Sequence, residues 1–283
     1  MANSSSIEIV VSCLNQRQWI GATIASVLAQ SSPRVRCHVV DGGSTDGSQE
    51  ALQEFAGRAE LYLCDSTEQQ VATLNRVFTQ TQGDIMAWLD AGDRLCPWAC
   101  DTVSTVFRNC HSICWLTGGI PVQWTRSQFM IAQNPLDGFS HDTFLRGRNL
   151  KSGPDYRYAL PRAGIFWRRA LWEQSGANVK TSLAHAGDFE LWTRFWKHSD
   201  LVTLKLPLGG AANDAPPPDK EYWNEAARFL RRDNAFGINW LCHARARLLR
   251  LAPRLAPRFA TRARFVRLTV NAEDCVAYWR TIV

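Results

Sequence analysis

The stretch Met86-Ala87-Trp88-Leu89-Asp90-Ala91-Gly92-Asp93 decides how the chain is read. An apolar run stops abruptly at two acids separated by a small residue and a glycine. A run of that length reads as a buried strand, and one ending in acids delivers them to the C-terminal edge of its sheet. Open α/β sheets bind ligands at that edge. Two carboxylates there can hold a hard divalent cation, which in turn can hold a diphosphate. The same residues also suit a plain polar turn, because Asp and Gly are ordinary turn formers.

Upstream, Ile7 to Cys13 and Val35 to Val40 are β-rich and apolar, the second run ending at Asp41. Leu61 to Cys64 reads as a short strand. Between them, Ile20, Ile24, Val27 and Leu28 recur at helical spacing, and Val71 to Thr79, which includes Asn75, reads as a helix. Alternating β and α over residues 1–110 predicts a parallel, doubly wound sheet. The turn Gly42-Gly43-Ser44-Thr45-Asp46-Gly47-Ser48 matches neither G-x-G-x-x-G nor a Walker loop, which argues against a dehydrogenase or a P-loop NTPase. Asp41, at a strand end beside this turn, suits a nucleoside contact; a simple strand-to-helix turn is the other reading.

Downstream, 113–117 and 121–124 read as strands, with a hairpin across Gly118-Gly119. Residues 134–162 are loop-rich, Gly164 to Trp167 is a strand and Arg168 to Ser175 a helix. In Ala186 to Trp196, Leu191 and Phe195, like Trp192 and Trp196, are four apart, so this helix turns a broad apolar face to the core. Asp188 falls in its first turn. It is either an acid favoured by the helix dipole or a carboxylate held at a cleft by a firmly packed helix. Leu201 to Leu206 reads as a strand, and 211–219 as a loop with three prolines. Residues 220–250 suit one or two helices, and Pro253 and Pro257 break them before a final helix or two in 258–283.

The 283 residues, 46% hydrophobic and 20% charged, make an ordinary globular composition. Nine scattered cysteines without a CxxC pair read as free thiols. Cys96/Cys100 and Cys110/Cys114 would sit at opposite ends of one helix, roughly 20 Å apart, too far to share a zinc. Neither a basic-apolar leader nor a long uncharged apolar run is seen, so the expected location is cytoplasmic. The net charge of +6 is uneven: Arg228 to Arg267 holds eleven Arg and one acid, leaving the remainder near −4. Leucines interleave with arginines from Arg247 to Phe259, which suits peripheral attachment to the anionic inner face of a cell membrane. It equally suits a solvated basic helix pair, and a nucleic-acid patch is the least favoured reading.

Taken in order, Ser26-Val27-Leu28-Ala29-Gln30, Val39 to Ser48, Trp88 to Asp93, Phe166 to Trp172 and Gly187 to Trp192 resemble the pattern of family 2 glycosyltransferases. The resemblance spans about Ile7 to Gly210. It implies the A-type glycosyltransferase fold, a Rossmann-like, mostly parallel α/β sheet flanked by helices, here with a helical, Arg-rich C-terminal extension. The implied division is a glycosyltransferase domain at 1–215 and the extension at 216–283. Residues 1–110 would be the nucleotide-binding half and 111–215 the acceptor half with the base. Cys13, Leu14, Asn15 and Asp41 would line the nucleoside pocket, Gln70 and Asn75 would lie near diphosphate and ribose, and Asp90 would make the ribose contact. Asp93 would bind Mg²⁺ or Mn²⁺, and Asp188 would be the catalytic base. The implied activity is inverting, non-processive, metal-dependent hexosyl transfer. The sugar would pass from a nucleotide-diphosphate sugar to a glycan, lipid-linked or polysaccharide acceptor in cell-envelope biosynthesis. A non-catalytic nucleotide-sugar or glycan-binding relative is the alternative. Gly92 stands where a second Asp is common, Arg162-Ala163 where paired Gln are frequent, and Ala211 to Asp214 where Arg and His often occur.

Overall fold

The computed structural model describes residues 6–31, 34–125, 127, 129–132, 139, 144, 160, 162–214, 220–233, 265–270 and 277–282. Most of the loop-rich segment 134–162, and the Arg/Leu run at 245–264, lie outside the described residues. The chain begins β1 (Ile7–Cys13), α1 (Arg17–Leu28), β2 (Val35–Asp41), α2 (Ser48–Gln53), β3 (Glu60–Leu63), α3 (Thr67–Gln80) and β4 (Ile85–Asp90). It continues with β5 (Asp93–Leu95), α4 (Ala99–Asn109), β6 (Trp115–Gly118), β7 (Val122–Trp124), β8 (Met130–Ala132), β9 (Phe166–Arg168) and α5 (Arg169–Gln174). Then follow α6 (Gly187–Phe195), β10 (Val202–Leu204), β11 (Gly209–Ala212), α7 (Lys220–Asp233), β12 (Phe265–Val270) and β13 (Ala277–Ile282).

Seven strands form the main sheet in the order β10-β6-β9-β4-β1-β2-β3, parallel except for β9, which runs against β4 and β6. The chain leaves β1 toward β2 and β3, then returns to add β4 on β1's other side. The carboxyl ends of β1 and β4 therefore meet at the topological switch point, where such sheets bind ligands. Pairing sets Ser12 opposite Asp90 and Cys13 opposite Asp41, so the predicted acids share one edge.

The period of two along each strand sorts side chains between layers. Ile7, Ile9, Val11 and Cys13 of β1, with Ile85, Ala87 and Leu89 of β4, pack in the apolar layer that holds α1, α2 and α4. Val10, Met86 and Trp88 face the other layer, built by α3, α5, α6 and α7. Asp90 is two residues beyond Trp88, so it leaves the strand on the side where α6 lies. That layer is aromatic: Trp115, Trp167 and Trp192 are fully buried, and Trp192 stacks on Trp115 with ring centroids 5.9 Å apart. The apolar face expected for Ala186 to Trp196 is this contact.

A smaller sheet, β5-β11-β7-β8, braces the site edge. Ala211 lies opposite Asp93 across the β11–β5 pair, and Gly210 lies opposite Arg94. A Cβ on Gly210 would sit 1.8 Å from the Val122 carbonyl oxygen, a backbone clash that no rotamer relieves. Gly210→Ala is expected to destabilise the protein by about 3 kcal/mol, read from urea denaturation. A midpoint equal to wild type would show that β11 and β7 are not packed this closely.

Two expectations fail. Residues 113–124 form no hairpin: β6 joins the main sheet between β10 and β9, and β7 joins the small sheet beside β11. Gly118 and Gly119 let the chain pass close to the β10–β11 backbone, with a Cβ on Gly118 only 2.8 Å from the Leu208 nitrogen. The extension is not helical throughout. It starts as α7, but Phe265–Val270 and Ala277–Ile282 form an antiparallel strand pair in the register Phe265 to Ile282. Phe, Val and Thr dominate the first of these runs, and such β-branched and aromatic residues favour the pleated surface. Tyr222, Ala226 and Leu230 of α7 share the aromatic core. No helix among the described residues is long and apolar enough to cross a membrane.

Candidate functional site

Three carboxylates converge at the switch point, joined by one arginine. Nη1 of Arg162 donates to Oδ1 of Asp90 at 2.6 Å, and Nε of Arg162 lies 3.1 Å from Oδ2 of Asp188. The guanidinium also lies over the Trp88 ring, 4.6 Å from its centroid. Trp88 Nε1 donates to Ser12 Oγ at 2.9 Å, and that hydroxyl donates to Asp90 Oδ1 at 2.6 Å. Strand register thus makes a ring of Trp88, Ser12, Asp90 and Arg162, with Asp188 as the far end of the fork.

Asp93 joins from β5. Gly92, at φ 108°, occupies the left-handed region that favours glycine, so an Asp at this position would be strained. The turn it makes returns the Asp93 carboxylate to the end of β4, where Oδ2 accepts the Asp90 backbone N–H at 3.0 Å. Burial pushes the Asp93 carboxyl up to about 7, the Asp90 charge adding to the effect. Asp188 is 4% exposed. Burial raises its pKa too; Arg162 opposes the rise and Asp90 adds to it. Arg162 is held firmly protonated: burial works against its charge, and Asp90 and Asp188 outweigh that.

A second group of predicted residues clusters beside this one, at the ends of β1 and β2. Asp41 is fully buried and its carboxylate is occupied. Oδ1 accepts from the Gly43 and Ser44 amides and Gln49 Nε2 at 3.1, 2.9 and 3.0 Å, and Oδ2 accepts from Ser44 Oγ at 2.5 Å. Asp41 therefore shapes the glycine turn. Cys13 is buried, and burial with the Asp41 charge pushes its thiol up to about 12. Gln70 Nε2 donates to the carbonyls of Cys13 and Val40 at 2.8 and 3.2 Å. Leu14 is half-buried, and Asn15 is exposed at φ 53°, its Oδ1 accepting the Thr45 amide at 2.9 Å. A cleft of about 350 Å³ opens here, lined by Asn15, Arg17, Gln18, Trp19 and Asp46. Asn75 stands apart from both groups. Its Nδ2 donates to the Val179 carbonyl at 2.8 Å and its Oδ1 accepts the Val179 amide at 2.6 Å, which ties α3 to the segment leading into α6.

Among the described residues no three His, Cys, Asp or Glu side chains form a ready-made metal cage. The donor set nevertheless fits a cation of the Mg²⁺ type, which takes one or two carboxylates and completes its shell with substrate phosphates and water. Asp90, Asp93 and Asp188 outnumber the one guanidinium among them, and the Asp90 charge adds to the burial that raises the Asp93 carboxyl. The residues that sequence reasoning missed are Arg162 and Tyr222 of α7, which faces Asp188. Arg162 lies in an irregular segment with no periodicity to mark it. Tyr222 lies beyond the three-proline loop, past the division expected after residue 215.

The sequence profile described as glycosyl transferase family 2 matches residues 8–151. An uncharacterized glycosyltransferase of Nostoc sp. is 30% identical over 105 residues, 36% of this chain and 33% of its own length. TuaG of Bacillus subtilis, assigned to teichuronic acid biosynthesis, is 33% identical over 92 residues, 31% of this chain and 36% of its own. The chain thus spans about a third of the length of either relative. Among solved structures, residues 1–349 of S. aureus TarS with UDP-GlcNAc superpose at a TM-score of 0.57 and 14% identity, over 80% of this chain and 65% of that one. The Pyrobaculum calidifontis mannosyltransferase PcManGT with GDP-Man and Mn²⁺ gives 0.50 and 17% over 89% of this chain and 82% of its own. With the profile covering half of its residues, and with an A-type sheet carrying acids at the switch point, the chain belongs to the family 2 glycosyltransferases.

Proposed function

We propose that this protein is an inverting, non-processive, metal-assisted transferase that moves a sugar from a nucleoside diphosphate sugar to a hydroxyl of a cell-envelope glycan, polysaccharide or lipid-linked acceptor. The observation that carries this reading is the meeting of Asp90 and Asp93 with Asp188 around Arg162. The acceptor class rests on the name of the Bacillus subtilis relative, and the donor class on the ligands of the two structural neighbours.

In this reading Asn15, Leu14 and the cleft beside them receive the nucleoside, and Cys13, Asp41 and Gln70 hold the backbone that lines it. Asp90 accepts a ribose hydroxyl, and Asp93 holds Mg²⁺ or Mn²⁺. A divalent cation bound there offsets charge growing on the departing diphosphate. Asp188 takes the proton of the acceptor hydroxyl as its oxygen bonds the anomeric carbon. The bond from that carbon to the phosphate oxygen breaks, its electron pair leaving with the nucleoside diphosphate. A carboxyl raised by burial suits a base working near neutral pH. Arg162 keeps it ionised and aimed between turnovers.

The test is hydrolysis and transfer with a panel of nucleotide sugars, UDP-GlcNAc and GDP-mannose included, with Mn²⁺. Turnover of at least one donor is expected. Asp93→Asn is expected to abolish the Mn²⁺-dependent part of nucleotide binding, measured by calorimetry with UDP or GDP. In the wild type that part should weaken about tenfold per pH unit below pH 7, because a proton competes with the metal for a carboxyl titrating near 7. Affinity that is independent of both metal and pH would remove Asp93 from the site. Nucleotide binding without turnover of any donor would favour a non-catalytic relative.

A further inference from the structure

Helix α6 has no cap of its own. Its N-cap is Ala186, which offers no side-chain acceptor to the free amides of the first turn. The chain just before the helix is held instead from α7. Glu225 takes three successive backbone amides: Ala184 at 3.1 Å through Oε1, and His185 and Ala186 at 2.8 and 2.7 Å through Oε2. A carboxylate there also faces the positive end of the helix dipole. Asp188 lies two residues past this contact. One turn before Glu225 on the same helix, Tyr222 is buried in the cluster that holds Ala186 and Phe189, and its hydroxyl faces the Asp188 carboxylate.

We propose that α7 is the positioning element for Asp188, with Glu225 fixing the backbone that leads into α6 and Tyr222 fixing the carboxylate itself. The chain beyond residue 215 is then part of the catalytic unit, not an accessory to it. This rests on the reading of Asp188 as the base.

The grip is two-sided. From α3, Asn75 holds Val179 by both ends of its amide. Val179 packs so closely on the first residue of α6 that a Cβ on Gly187 would lie 2.8 Å from its Cγ1. From α7, Glu225 holds 184–186. Between these anchors the chain has few ways to move Asp188. The charged and titratable groups facing that carboxylate are Arg162, Asp90 of β4, Asp93 of β5 and Tyr222. Arg162 binds it from the donor side, and only Tyr222 binds it from α7. With the Phe189 amide on Oδ1 at 2.7 Å, the tyrosine hydroxyl is the side-chain contact that can set the carboxylate's rotation without cancelling its charge.

Two readouts test this, and one needs no activity. In hydrogen exchange of the full chain, Glu225→Ala is expected to lose protection at the amides of 184–186, while Leu191 to Phe195 keep theirs. Glu225→Gln, which retains an acceptor, should recover most of it. In donor hydrolysis with Mn²⁺ and UDP-GlcNAc or GDP-mannose, Tyr222→Phe is expected to lower kcat about tenfold, as losing one charge-assisted hydrogen bond would, with KM for the donor within about twofold. The acid limb of its kcat profile should move to higher pH, because the lost bond favoured the carboxylate. A purely structural role would leave that limb in place. Unchanged protection in Glu225→Ala overturns the inference whatever the activity. Lost protection with wild-type kcat in both variants also overturns it. A wild-type protein that turns over no donor sinks the transferase reading instead, and the exchange result still decides whether α7 holds the start of α6.

Discussion

Asp188→Asn is expected to lower transfer by about 10²- to 10⁴-fold while leaving nucleotide and Mn²⁺ affinity within about twofold. The range is that of a single general base. Asn keeps the shape and one acceptor oxygen, so the amide of Phe189, which donates to Asp188 Oδ1 at 2.7 Å, retains its partner. What is lost is the proton acceptor and the charge opposite Arg162. Donor binding should survive because Asp188 is neither among the residues that line the cleft, Asn15, Arg17, Gln18, Trp19 and Asp46, nor the group that holds the Asp93 carboxylate, which accepts the Asp90 amide. The fold should survive as well: Asp188→Asn leaves Arg162 paired with Asp90 at 2.6 Å. The measurement is kcat and KM on any donor and acceptor the wild type uses, with calorimetry on the nucleoside diphosphate and Mn²⁺. Turnover within tenfold of wild type would remove Asp188 as the base. Loss of nucleotide binding along with turnover would place it in the donor site instead.

The elements that could be read in the sequence are those whose signal is local. The strand Ile85 to Asp90 showed itself because five successive residues, Ile85 to Leu89, are buried on both faces of a mostly parallel sheet, and its acids because a strand end is where an apolar run has to stop. Asp188 was legible as a first-turn acid on an aromatic helix. The role of Gly92 was not. It looked like a missing ligand, whereas φ 108° makes it the residue that lets Asp93 reach the end of β4. Arg162 was noticed only as a departure from a pattern, since nothing in an irregular segment announces that a guanidinium bridges residues 72 positions upstream and 26 downstream. The hairpin expected at Gly118-Gly119 shows the same limit. Two short apolar runs across a glycine pair satisfy the local signal for a turn, but which sheet each run joins is decided by partners such as β10 and β11, 86 and 88 residues away. The division expected after residue 215 shows the same limit: the contacts of Tyr222 and Glu225 that cross it reach back to Asp188 and to 184–186, and no spacing records them.

Arg162→Ala is expected to cost about 3–5 kcal/mol in stability, the range for removing one partner of a buried ion pair. The side chain of Asp188 is 5% exposed and that of Arg162 is 19% exposed, so water cannot take the place of the lost guanidinium at Asp188. Asp90, at 43%, can turn to solvent, and its half of the fork contributes less for that reason. The loss should depend on pH with a definite sign. Asp188 already titrates above its ordinary value because it is buried, and Arg162 is what holds the rise down. Without it the folded-state pKa climbs further. A carboxyl raised above its unfolded value binds its proton more tightly when folded, so the variant regains stability as pH falls and is weakest at neutral pH and above. Urea denaturation of wild type and variant from pH 5 to 8 measures this. A gap that widens with pH is expected, and a constant gap would mean lost packing on Trp88 rather than lost charge. Arg162→Lys should recover little, because a single ammonium cannot reach both carboxylates as Nε and Nη1 do. The double variant Arg162→Ala/Asp188→Asn should be more stable than Arg162→Ala alone, because it no longer buries an unpaired carboxylate. If the second substitution instead adds its own loss independently, Arg162 and Asp188 are not energetically coupled, and the bridge between the donor-side acids and the base has no weight in the fold.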